Sequence, residues 1–342
     1  MYMKLYSLKR FFSYIIKRFI MMVIMIWIGL TLSFTISRLL PFNAAEYLVS
    51  QLAAVGSQLS AQDLENMRKQ LLSLYGLDKP LHIQYIDFLR NFIVGNMGPS
   101  FAYFPTPVKN IIVAALPWSI ILLMSASIVN WVTGNVIGVL ATTSRRRRVV
   151  GVLENFALIV MPIPYAVLGL AFLIVYALIL KLPLTMYGRP VAMELSLRFI
   201  LSMFERALVP MLGLVIVGWI GSFLSMKNLS IRLMQEDFIV YKILQGARDR
   251  HVRGMVFRNA LIPQYTGLVL SLSRVFVGSM LVEYLFNYPG IGLILRSAVS
   301  SGDYNLMVGI ISISVIAVAI ATFILDTTYP LIDPRIRYPG AG

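Results

Sequence analysis

Apolar residues gather in six long runs, at about 19–40, 116–141, 149–180, 208–226, 266–286 and 306–329. A helix rises about 1.5 Å per residue and a bilayer's hydrocarbon core is about 30 Å thick, so roughly 20 such residues make one crossing. Six membrane-spanning helices are predicted. The first run carries no charge between Arg18 and Arg38. It follows a basic stretch, as the apolar part of a signal peptide does. It is too long for one and no small-residue cleavage site follows, so it reads as a retained helix.

Shorter patterns lie between the runs. Ser60 and Asp63 have capping-box spacing, Leu64, Met67, Leu71 and Tyr75 recur at helical intervals, and Gly76 closes the pattern. A second short helix is expected after Pro80, with Ile83, Ile86, Leu89 and Ile93 on one face. Both are expected to pack on the outer surface of the bundle. Between the fourth and fifth runs, residues 235–258 form the most polar stretch. Phe238, Ile239, Tyr241, Lys242, Leu244 and Gln245 read as a short helix, Gly246 as its stop, and residues 259–263 as re-entry into the membrane. Such a helix either rests on headgroups or inserts into a partner and carries force to the spans beside it.

Composition agrees with a membrane protein: of 342 residues, 58% are apolar and 13% charged, and mean hydropathy is +0.78. The net charge of +15 is read as topology-setting Lys and Arg, with anionic lipid as partner and no nucleic acid. With the N-terminus in the cytoplasm, 18 basic residues fall on inside segments and nine on the outside segments 41–110 and 181–206, which places both termini inside. The run Arg145 to Arg148 is one of these inside signals. No cysteine is present and the two histidines lie far apart, so neither a disulfide nor a thiolate or histidine metal site is expected.

No lysine follows a glycine, which excludes the Gly-Lys-Ser/Thr end of a phosphate-binding loop, and no zinc helix or nucleophile elbow is present. No catalytic residue, cofactor or metal site is predicted. Arg274 is the one clear mid-span charge. It lines a path, pairs across the bundle, or packs and snorkels, whereas a self-sufficient carrier calls for several such groups. Gly134 and Gly138 form a small-xxx-small pair that permits close helix contact. Pro162 and Pro164 interrupt the third run as a hinge or a static kink.

The segment Asp237-Phe238-Ile239, Gly246 and Arg258-Asn259-Ala260-Leu261-Ile262-Pro263 resembles the coupling loop, or EAA loop, of importer-type ABC transporter permeases. The B-type membrane subunit of dipeptide and oligopeptide importers is the most similar form. The same resemblance extends to Ile16-Lys17-Arg18, Tyr75-Gly76-Leu77-Asp78-Lys79-Pro80, Gly95-Asn96-Met97-Gly98, Pro162-Ile163-Pro164, Pro289-Gly290-Ile291-Gly292, Asp303-Tyr304 and Ile332-Asp333-Pro334-Arg335. It covers nearly the whole chain. Lys242, Ile243 and Leu244 depart from it where small residues usually stand, the stretch 246–263 is one residue short, and residues 43–59 are extra length.

The resemblance implies an all-α polytopic membrane protein of the six-helix importer-type ABC permease fold, with a cytoplasmic coupling helix and short external amphipathic helices. Its expected divisions are a cytoplasmic tail (1–18), the first span with an external helical segment (19–110), a five-helix core (111–329) containing the coupling loop (227–263), and a cytoplasmic tail (330–342). It implies a cell-membrane importer subunit forming half of a pore for peptides. Oligosaccharides or nickel are the alternative cargo, and a stand-alone secondary carrier is the rival reading. Implied partners are a second, homologous permease, two ATP-binding ABC subunits in which hydrolysis occurs, and an external solute-binding protein. Within the coupling segment, which includes Asp237, Lys242 and Gly246, apolar anchors are expected at Phe238, Ile239 and Tyr241 and a charged rim at Arg248, Asp249 and Arg250. Glu283, Pro289, Gly290 and Gly292 are expected to form an outer gate, a binding-protein contact or an ordinary tight turn in which Gly290 accepts positive φ. Arg274, Pro162 and Pro164 are the expected pore or hinge residues.

Overall fold

In the computed structural model, residues 2–39, 60–74, 76, 78–179, 181, 196–278 and 280–332 are described, and among them there are helices and turns but no strand. The helices are α1 (Tyr2–Leu39), α2 (Ala61–Leu74), α3 (Leu81–Ile93), α4 (Val108–Thr143), α5 (Arg147–Val160), α6 (Tyr165–Ile174), α7 (Leu197–Leu233), α8 (Asp237–Leu244), α9 (Asp249–Gly278), α10 (Met280–Leu285), α11 (Ile291–Ser300) and α12 (Tyr304–Ile332). A wider π turn, Val175–Ile179, extends α6. Among the described residues four segments are long and apolar enough to cross a membrane: Phe12–Leu39, Val108–Thr143, Leu197–Leu233 and Tyr304–Thr328.

Helix starts follow local chemistry. The capping box forms as its spacing predicts: the Asp63 amide donates to Ser60 Oγ (3.2 Å) and the Ser60 amide to Asp63 Oδ2 (3.1 Å). The Ser60 hydroxyl, donating to the same carboxylate, holds the Asp63 carboxyl below its usual pKa. Pro80, Pro107 and Pro164 sit at the N-caps of α3, α4 and α6, where a missing amide costs nothing. Ser196 caps α7 by accepting the Phe199 amide (3.1 Å).

α4 and α7 form the centre. A β-carbon at Gly134 would stand 2.5 Å from the Trp219 carbonyl oxygen, and one at Gly138 would stand 2.8 Å from that of Phe223. The two backbones therefore touch where the small pair permits it. Around this seam Trp118, Leu122 and Met203 pack with Tyr288 at one end, and Val139 and Met226 with Ile239 at the other. α1 lies on α12: Phe19 meets Phe323 edge to face (6.0 Å), Ser33 bonds Ser312 (3.3 Å) and Arg18 pairs with Asp326 (3.0 Å).

Several expectations are corrected. Residues 2–18 of the expected cytoplasmic tail are helical and continue into the first run as α1, because nothing between Tyr2 and Leu39 breaks a helix. The third run is not one helix: α5 ends at Val160 and α6 starts after Pro164. The helix that carries residues 259–263 starts ten residues earlier, since α9 is continuous from Asp249 and holds Pro263 inside it. The predicted face of α3 is inverted. Ile83, Ile86 and Ile93 are exposed, while Gln84 is buried and Phe88 and Tyr85 pack on Phe34 at 5.5 and 5.4 Å. Gly76 ends α2 at φ +61° as expected. The extra length at 43–59 and the tail beyond Ile332 lie outside the described residues.

Candidate functional site

The predicted coupling residues fall together on α8, the turn that follows it and the first turn of α9. α8 begins with Asp237 in its first turn and carries Lys242 in its last, each sign matching the helix dipole. The ammonium of Lys242 donates to Gln245 Oε1 (3.0 Å). Gly246 then adopts φ +80° in open space, a left-handed position that favours glycine, and α9 starts three residues later.

The apolar residues of α8 divide sharply. Ile239 is 0% exposed, packed with Val139 of α4, Met226 of α7 and Val252, Val256 and Ala260 of α9. It is not available to a partner, contrary to expectation; it is the pin that holds α8 to the bundle. Phe238 and Tyr241 face outward, with Tyr241 60% and Leu244 80% exposed. Leu244, read from sequence as a departure from the usual pattern, therefore joins them on one uncovered surface. Arg248, Asp249 and Arg250 are all exposed beside it. Asp249 pairs with Arg145 (3.3 Å), so the α4–α5 turn lies at the same end. Both side chains are well exposed, and the pair fixes geometry more than it adds stability. Nearby, Lys227 of α7 forms an ion pair with Glu154 of α5.

The second predicted group lies in the turn between α10 and α11. Glu283, Pro289, Gly290 and Gly292 are all buried, so a docking protein cannot touch their side chains and the binding-protein contact is corrected. Glu283 is 1% exposed, and its Oε2 accepts the Gly292 amide (2.6 Å) at the start of α11. The Ile291 amide donates to Ser119 Oγ of α4 (2.8 Å), and the Tyr288 hydroxyl to the Trp118 carbonyl (3.2 Å). Gly290 has φ −94°, so left-handed freedom is not why glycine stands there. A β-carbon would lie 2.6 Å from Ser119 Oγ, and one at Gly292 would lie 2.5 Å from the Met280 carbonyl oxygen. Both glycines serve close approach, and the turn is a rigid hairpin bolted to α4. Losing the carboxylate would strand the buried Gly292 amide, so Glu283→Ala is expected to cost about 2 kcal/mol. A lowered thermal midpoint in detergent checks this, with Glu283→Gln falling between; an unchanged midpoint opposes it.

Pro162 and Pro164 are exposed in the α5–α6 turn. Arg274 lies in α9, and its side chain is outside the described residues. Sequence reasoning missed a neutral polar network in the bundle: Trp131 Nε1 donates to the Gln264 carbonyl (2.8 Å), Gln264 Nε2 to Ser225 Oγ (2.9 Å) and Asn135 Nδ2 to the Trp131 carbonyl (2.7 Å). The available signal was amide side chains inside apolar runs. Ionisable groups inside the runs do not mark it.

Comparison with known proteins bears on what these surfaces serve. Residues 134–338 match the family described as binding-protein-dependent transport system inner membrane component, and residues 11–117 match its N-terminal component. Similar proteins include the oligopeptide transport system permease protein AppB of Bacillus subtilis, 27% identical over 79% of this chain and 85% of that protein. OppB of Haemophilus influenzae, another oligopeptide transport system permease protein, is 29% identical over 77% and 83%. The dipeptide transport system permease protein DppB of Bacillus subtilis is 26% identical over 81% and 86%.

Proposed function

Because this chain belongs to the family of binding-protein-dependent transport system inner membrane components, we propose that it is one permease subunit of an ATP-driven importer and that its cargo is peptide. The names of the oligopeptide and dipeptide relatives support the cargo. The six crossings are α1, α4, the α5–α6 pair, α7, α9 with α10, and α12. Both termini lie in the cytoplasm, a topology supported by the excess of Lys and Arg on that side.

The observation that carries the mechanism is α8: an eight-residue helix pinned by one buried isoleucine and uncovered on the opposite side. We assign it as the coupling helix. Two separate ATP-binding subunits close around nucleotide and push on Phe238, Tyr241 and Leu244, with Arg248, Asp249 and Arg250 at the rim. Ile239 is packed against α4, α7 and α9, so a push on α8 reaches three spans at once and tilts them between inward-open and outward-open states. Pro162, Pro164 and Arg274 remain the candidate hinge and pore positions. At the far end, the hairpin of Glu283 to Gly292 serves as the outer gate, moving as one body with α4. A second, homologous permease completes the pore, and an external solute-binding protein selects the cargo.

The test is purification from native membrane in mild detergent, combined with uptake of labelled dipeptide, oligosaccharide and nickel by cells lacking the gene. An ATPase and a second permease are expected to accompany the chain, and dipeptide uptake is expected to fall. Recovery of the chain alone in several detergents overturns the importer reading, and loss of only another uptake overturns the peptide assignment.

A further inference from the structure

α7 changes what it shows along its length. One line of positions on it, Met203, Ala207 and Leu214, is buried with Trp118 and Tyr288. Continued at three- and four-residue steps, the same line becomes Gly221, Ser225, Asn228 and Arg232, all exposed. The opposite side of the helix, at 3.6 residues per turn, reverses this order. There Leu208, Leu212 and Ile216 are exposed, while Phe223 and Met226 are buried. The exposed apolar half suits lipid. The exposed polar half does not, although Gly221 and Ser225 lie within the apolar run 208–226.

The polar groups on this line are left open. Other hydroxyls in the spans donate to a carbonyl of their own helix, as Ser125 does to Ile121, Thr133 to Val129 and Ser314 to Ile310. Ser225 instead accepts from Nε2 of the buried Gln264 (2.9 Å), and its own proton goes to no partner among the described residues. The exposed Asn228 amide likewise bonds nothing among the described residues. A β-carbon at Gly221 would meet nothing within 4 Å, whereas one at Gly134 in the α4–α7 seam would stand 2.5 Å from backbone. A dry contact between helices fills the space beside small residues and pairs the polar ones. Here the space is empty and the donors are unpaired, as in a wall that faces water.

We propose that Gly221, Ser225, Asn228 and Arg232 line the half of the cargo path nearer α8. Beyond Leu214 the line is closed by Met203 and Ala207 packed with Trp118 and Tyr288, beside the hairpin of Glu283 to Gly292. The proposal rests on the importer reading for what passes along this wall. Ser225 and Asn228 meet the amide groups that every peptide carries, Arg232 meets the terminal carboxylate, and Gly221 leaves room for any side chain. The wall therefore reads peptide backbone and ignores side-chain identity.

The chain has no cysteine, so single cysteines introduced into it report on their own positions in the assembled complex. In inside-out membrane vesicles, a charged, membrane-impermeant thiol reagent is expected to label Ser225→Cys and Asn228→Cys and to leave Leu212→Cys and Ile216→Cys unlabelled, read as the mass shift of this chain. Gly221→Leu is expected to keep the thermal midpoint and the accompanying subunits while lowering dipeptide uptake about tenfold, the scale of overfilling a fitted space by one side chain. Absence of label at both Ser225→Cys and Asn228→Cys in the intact complex overturns the path. Loss of the second permease from Gly221→Leu also overturns it, because the line would then be a subunit interface. Labelled cysteines with full dipeptide uptake by Gly221→Leu remove the cargo from this wall. Failure of the importer reading shows separately, as a wild-type chain recovered without ATPase or second permease.

Discussion

Replacing Tyr241 and Leu244 together with aspartate is expected to lower uptake by about a hundredfold or more while the chain still inserts and folds. Both side chains are exposed, at 60% and 80%, so their loss removes little packing within the chain. In the proposed interface they are central apolar contacts, and such residues are each worth about 2 kcal/mol or more. Two new carboxylates there must also be desolvated without partners, which adds to the loss. Two readouts separate the consequences. If the ATPase subunits fall away on purification, α8 provides affinity; if they stay and hydrolyse ATP without transport, it transmits force. Uptake at the wild-type level would remove α8 from the mechanism. Ile239→Asp cannot serve in its place, since it buries a charge among Val139, Met226 and Val256 and unfolds that end of the bundle.

The second large effect concerns the central seam. Gly138→Leu puts a branched side chain where a single β-carbon would already lie 2.8 Å from Met226 Cβ and from the Phe223 carbonyl oxygen. Backbone cannot yield as a side chain end can, so α4 and α7 must separate. The expected cost is about 3 kcal/mol, with a similar cost for Gly134→Leu and near-complete loss of folded chain when the two are combined. Gly221→Ala in α7 is the control, because nothing lies within 4 Å of the added carbon. Thermal unfolding in detergent and the yield of monodisperse protein measure both. A stable Gly138→Leu chain would mean the seam is looser than its geometry.

What was legible in the sequence depended on whether the signal was a backbone requirement or a side-chain preference. The stop at Gly246 and the box of Ser60 and Asp63 were legible because φ +80° and an unpaired helix amide each demand particular residues. The faces of α3 and α8 were not. Both short helices carry apolar residues on more than one side, so Ile86 and Ile239 look alike in sequence although one is exposed and the other buried. Tyr85 and Gln84, not the isoleucines, mark the inward side of α3. Gly290 and Gly292 were recognised as a turn, but their cause was hidden: it lies in Ser119, 171 positions from Gly290 along the chain, and in the Met280 backbone. Pro162 and Pro164 announced an interruption without saying that two helices result.

The packing of α1 on α12 sets an order of events during synthesis. Of the described helices α1 leaves the ribosome first, and the helix it lies along leaves last, beginning 265 residues after Leu39. Ser33, Arg18 and the Tyr14 hydroxyl find Ser312, Asp326 and the Asp326 carbonyl only when that final segment has entered the bilayer. Until then α1 lacks the helix it lies along and has the short α3, through Tyr85 and Phe88 on Phe34, to pack against. A ribosome stalled before Tyr304 would leave the bundle open on this side and its first helix without that neighbour, a ready mark for a membrane quality-control protease.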